Sequence, residues 1–149
     1  MMRWLILLFI CFFSSCMLFS GYRKSSFTYS ENGTAHTVPV LVPRGYTGSS
    51  IERDSAGNTW RMFRYPGRGF FYVGYWIDSL TGLQDVQPQL HQQKEHPSGG
   101  WEFKSMDNDH LFWRELRKGG LRTGYRYISP AAEPAFDSAS NYTIWKVGN

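Results

Sequence analysis

Beyond residue 16 the chain contains no cysteine. The part able to fold therefore has no internal disulfide and no thiolate metal site. Charge is also sparse: Asp, Glu, Lys and Arg make up 19% of the residues against 17% for Phe, Trp and Tyr, a balance that excludes a disordered, solvating polypeptide. The usual signatures of catalysis are missing. There is no HExxH pair of zinc ligands, no G-x-S-x-G elbow and no Ser-x-x-Lys. His91 and His96 stand five apart, which does not place two ligands on one helical face, and His36 and His110 are isolated. Asp107-Asn108-Asp109 opens like a calcium loop but lacks the glycine that such a loop requires, so a hairpin turn accounts for it better. Gly67-x-Gly69 has no third glycine for a dinucleotide. No metal and no cofactor is expected. A pair of carboxylates acting as general acid and base stays open, because such pairs are assembled in space and not by spacing.

What is present begins with an export segment. Arg3 supplies a short basic head, residues 4–13 are almost wholly apolar, and Ser14-Ser15 bring small residues up to Cys16. A basic head, an apolar middle shorter than a bilayer span and a small-residue end describe a secretory signal. Phe13-Ser14-Ser15-Cys16 resembles the lipobox of bacterial lipoproteins, with Phe13 where leucine is commonest and Ser15 where glycine or alanine is commonest. The resemblance covers the export segment alone. It implies a signal peptide over residues 1–15, a diacylglycerol on the thiol of Cys16, and a product tethered in the bacterial cell envelope, facing the periplasm or the exterior. Two other readings stay open: an uncut anchor, since Met17-Leu18-Phe19 prolongs the apolar run, or release by an ordinary signal peptidase. Residues 16–34 are Ser-rich and polar after that run, which predicts a flexible tether with room for one early strand.

Residues 35–149 are expected to form one β-rich domain. Residues 38–42 are β-branched and apolar, and Pro39 and Pro43 assign them to an edge. Residues 51–53 and 58–65 flank the turn-rich Asp54-Ser55-Ala56-Gly57. Residues 70–77 are apolar on both faces, as a central strand covered on both sides would be. A long polar loop is predicted over 78–100. Strands follow over 101–105, 111–117 and 121–128, the last two joined by Gly119-Gly120, a two-residue hairpin signal. Ser129-Pro130 can start a helix that Pro134 delays. The expected fold is α+β and mainly β: an antiparallel sheet or small open barrel with a short C-terminal helix.

The formal net charge is +4, with basic residues such as Arg61, Arg114, Arg117, Arg122 and Arg126 interleaved with Glu52, Glu102 and Glu115. That interleaving predicts solvated strand faces in preference to a patch that attracts an anionic surface. Arg68-Gly69-Phe70-Phe71-Tyr72-Val73-Gly74-Tyr75 resembles the aromatic strand of RNA-recognition domains, but Phe71 stands where Gly or Ala is expected and no helix precedes it. With export, no nucleic acid partner is expected. Trp60, Trp76, Trp101, Trp113 and Tyr125 are the candidate contact surface, although most rings at strand positions belong to a core. The resulting expectation is an envelope lipoprotein that binds a protein or glycan as an accessory module. An enzyme acting on an envelope polymer and a periplasmic inhibitor or immunity-type protein are the alternatives.

Overall fold

In a computed structural model, residues 21–77, 92–97 and 99–146 are described. The leader with Cys16, and His91 with most of the predicted loop, lie outside the described residues. The fold is mainly β, with two antiparallel sheets and one C-terminal helix, and the larger sheet does not close into a barrel.

The first sheet is a hairpin of β1 (Tyr22–Glu31) and β2 (Thr34–Pro43). Asn32 and Gly33, both at positive φ (51° and 79°), make its two-residue turn. Strands that twist right-handed need such a mirror-image turn, and Asn-Gly supplies it at low cost. The segment expected as a tether is therefore mostly strand. Ser26, Thr28 and Ser30 face outward, Ser25 accepts a hydrogen bond from Arg61 of the larger sheet, and Phe27, 3% exposed, is packed into the core. Pro39 sits on β2, which has β1 as its one strand neighbour, in keeping with the predicted edge.

The second sheet has seven strands: β3 (Gly48–Arg53), β4 (Thr59–Arg64), β5 (Phe70–Tyr75), β6 (Gln92–Glu95), β7 (Trp101–Met106), β8 (Phe112–Lys118) and β9 (Leu121–Ile128). Their spatial order is β3-β4-β5-β9-β8-β7-β6. Two antiparallel meanders thus meet where β5 pairs with β9, and the aromatic run on β5 is central as expected. β6 falls inside the predicted loop. β8 and β9 are joined by Gly119-Gly120, with Lys118 opposite Leu121.

The hairpin and the helix α1 (Glu133–Lys146) both pack on one face of this sheet. Phe136 of α1 meets Tyr65, Tyr125 and Phe71 at ring-centroid distances of 4.9, 5.6 and 6.3 Å. Tyr29 of β1 stacks on Tyr75 of β5 at 4.5 Å. The core lies between these layers and includes Val40, Val42, Phe63, Phe71, Val73, Leu116, Leu121, Ala139 and Ile144.

A charged seam closes one flank of that core. Arg114 donates from Nε to Glu102 at 2.7 Å and reaches Asp137 of α1 through Nη1 at 3.3 Å. Lys104 pairs with Asp137 at 3.0 Å and with Glu133, and Tyr125 donates its hydroxyl to Asp137 at 2.6 Å. Burial alone raises the pKa of Glu102, but Arg114 and Lys94 outweigh it and hold the carboxyl below its ordinary value. Lys104 is the converse: burial lowers its pKa, and Glu133 and Asp137 more than reverse that. The helix is fastened to the sheet by this seam as well as by Phe136.

Candidate functional site: the tryptophan-bearing sheet face

The other face of the large sheet collects a different set of side chains. On each strand the side chains alternate in direction, so register decides what shares a face. β4 and β5 place Trp60, Met62, Phe70, Tyr72 and Gly74 there, and Trp76 follows directly after β5. β9 adds Arg122, Gly124 and Arg126, β8 adds Trp113, Glu115 and Arg117, and β7 adds Trp101 and Phe103. Four of the five predicted contact residues, Trp60, Trp76, Trp101 and Trp113, thereby come together on one face. Tyr125 does not join them. It is fully buried on the opposite face against Phe136 and Asp137, where it is a core residue.

Trp60 and Trp76 stack at 5.8 Å with their planes 14° apart. Gly74 makes the stack: a Cβ there would stand 2.5 Å from Trp60 Cβ and 2.5 Å from Trp76 Cζ3. The guanidinium of Arg122 lies 4.9 Å from the Trp76 ring centre, a cation–π approach. Trp60 Nε1 is buried and meets no acceptor among the described residues.

Beside the stack sits a polar knot. Tyr72 donates its hydroxyl to Glu115 at 2.5 Å, Arg117 donates Nε to the other carboxylate oxygen at 2.5 Å, and Arg122 Nη1 stands 3.6 Å from that same oxygen. Burial first, then Glu115, holds the Tyr72 phenol well above the usual tyrosine range, so at neutral pH it is a donor. Arg117 continues outward over Phe103 at 4.3 Å. From this knot the face runs to Trp101, which is 49% exposed. The centre is buried, with Tyr72 and Trp76 1% and 3% exposed, and Trp101 is the exposed ring at its edge.

The expectation of solvated arginine faces is overturned here. Arg114, Arg122 and Arg126 are 5%, 0% and 8% exposed, and Glu102 and Glu115 are buried with them. The alternation on β9 is written in the sequence, whereas the carboxylate of Glu115 reaches it only through the pairing of β8 with β9. The aromatic strand resembling RNA-recognition domains is divided by its own register. Phe71 and Val73 enter the core, while Phe70 and Tyr72 face the knot.

Elsewhere, polar residues considered for chemistry have local duties. Asp107 Oδ1 accepts from the backbone N–H of Asp109 and Leu111, closing the turn between β7 and β8. His96 Nε2 contacts Asn141 Oδ1 of α1 at 3.2 Å. Among the described residues no group of three His, Cys, Asp or Glu is gathered as metal ligands would be. The Glu102 carboxyl is held below its ordinary value, as an ion-pair partner's is. Among the described residues no helix is long and apolar enough to cross a membrane. No family model matches the chain, and neither a curated protein nor a solved structure was found to match it.

Proposed function

We propose that the chain is an accessory binding module of the bacterial envelope, tethered to a membrane through Cys16, that grips a partner protein with the tryptophan-bearing sheet face. The supporting observation is that Trp101, 49% exposed, stands on the same face as Trp60, Trp113 and Arg117, with Trp76 and Tyr72, 3% and 1% exposed, as its buried base on the side opposite the hairpin and α1. Trp, Tyr and Arg are the residues that dominate binding energy in protein interfaces, where large rigid surfaces lose little conformational entropy on contact. The Tyr72–Glu115–Arg117 knot holds the centre of that surface in one geometry before any partner arrives, which lowers the cost of association.

Capture from detergent-solubilised envelopes tests this reading. The tagged full chain is expected to retain a defined protein that Trp101→Ala releases, with a loss of about 2 kcal/mol in binding, on the scale of a hot-spot residue. Trp145→Ala, a change in a 53%-exposed residue of α1, is expected to retain it. Recovery of saccharide alone, or equal capture by all three chains, contradicts the proposal.

A further inference from the structure

The fold begins close to Cys16. Four residues, Met17 to Ser20, separate that cysteine from Gly21, whose carbonyl accepts a hydrogen bond from the backbone N–H of Arg44 at 2.9 Å. Even fully extended, the chain from Cys16 to Gly21 spans about 17 Å. A domain held at Cys16 therefore keeps Gly21 within about 17 Å of the membrane, and the end of the molecule around Gly21 is the one brought nearest to it.

That end is basic. Arg23 and Lys24 are opposite Val42 and Leu41 in the hairpin, and Arg44 follows directly on β2, with its Nε donating to the carbonyl of Tyr22 at 3.3 Å. All three side chains are exposed. None of the ion pairs among the described residues involves them, whereas Arg64 and Arg68 at the same end are answered by Glu52 and by Asp107 with Asp109. The Arg23 guanidinium lies 6.0 Å from the Tyr46 ring centre, which sets an amphipathic ring at the same corner. At the far end of the hairpin the charge reverses, with Glu31 receiving the Tyr75 hydroxyl at 2.8 Å.

We infer that Arg23, Lys24 and Arg44 form a docking surface for the anionic phospholipid headgroups of the membrane that holds the chain. The inference rests on the tethered reading and adds an orientation to it. Each cation near an anionic surface strengthens contact about fivefold, through an attraction that falls away within a Debye length. The hairpin thus stands base-down on the membrane.

The full chain reconstituted into vesicles of phosphatidylcholine, with or without phosphatidylglycerol, tests this by acetylation with a water-soluble reagent read by mass spectrometry. Lys94, with a side chain 67% exposed, is the internal reference. Lys24 is expected to react about fivefold more slowly in the anionic vesicles than in the neutral ones, with the protection lost at 1 M salt, where screening acts within about 3 Å. The double change Arg23→Gln with Arg44→Gln is expected to weaken the contact about 30-fold and abolish the protection. Lys24 reacting alike in both vesicles, on a chain that floats with them, overturns this inference alone. Protection equal in neutral and anionic vesicles overturns it too. A chain that fails to float with either vesicle overturns the tethered reading and this one together.

Discussion

Replacing Arg114 by leucine is expected to cost about 3–5 kcal/mol of folding stability, measured by urea unfolding at neutral pH. Arg114 and Glu102 both have side chains 5% exposed, so neither keeps much contact with water. Removing the guanidinium leaves Glu102 with Lys94 as its remaining ion-pair partner at 3.2 Å, and it also frees Asp137 of α1 from one of its anchors. The loss comes from the uncompensated charge and not from the net worth of the pair. The double change Arg114→Met with Glu102→Met is therefore expected to recover most of the stability, since well-packed apolar replacements of buried pairs are often neutral. Titration follows from the same contacts. The Glu102 pKa is lowered by folding, so the stability it contributes is present above the ordinary glutamate range and is lost as pH falls through the folded value beneath it. Lys104 is raised, so its contribution is present below the ordinary lysine range and is lost as pH rises through its folded value. The wild type is expected to weaken at both extremes, and Arg114→Leu to show a flatter acid limb.

The second large effect is expected at Gly124. A glycine inside a strand is ordinarily a weak point, and alanine there tends to stabilise by restricting the unfolded chain. At this position the sign reverses. A Cβ on Gly124 would stand 2.0 Å from the backbone oxygen of Arg114, an atom fixed in the neighbouring strand. Relief requires β8 and β9 to separate, and Glu115, paired with Gly124 in register, would be carried away from Tyr72. Gly124→Ala is expected to cost about 3 kcal/mol, at the upper end of overpacking penalties. It is also expected to alter the near-ultraviolet dichroism of the tryptophan face. Gly45→Ala, at a turn with nothing within 4 Å of its Cβ, strains the backbone at a φ of 94° but leaves that signal intact.

Much of the architecture was readable along the chain because it rests on local rules. Gly119-Gly120 between two alternating runs marks a hairpin, and the doubly apolar run over β5 marks a central strand. Pro134 delays the helix to Glu133, after the Ser129 carbonyl has taken the first backbone N–H groups. What escaped depends on contacts between distant segments. β1 has the composition of a tether, and its two signals, the Asn32-Gly33 turn and the buried Phe27, are outnumbered by Ser and Thr. The candidate face was legible as a set of tryptophans but not as a surface. Both faces of β5 are apolar enough to be covered, so that central strand does not say which one α1 takes. That choice is what sends Tyr125 into the core and leaves Trp101 at the rim. The buried arginines were hidden for a similar reason: Arg122 meets Glu115 only once β8 and β9 are paired, and Glu115 receives the Tyr72 hydroxyl only once β5 joins β9.

Oxidative footprinting of tryptophan, in intact cells and on the purified full chain, tests most directly whether this sheet face engages a partner. Trp101 and Trp145 are 49% and 53% exposed and lie on different parts of the molecule, so in the purified chain both are expected to oxidise readily. In cells, Trp101 is expected to be protected severalfold while Trp145 oxidises as before. Equal oxidation of Trp101 in the two settings would contradict the binding face.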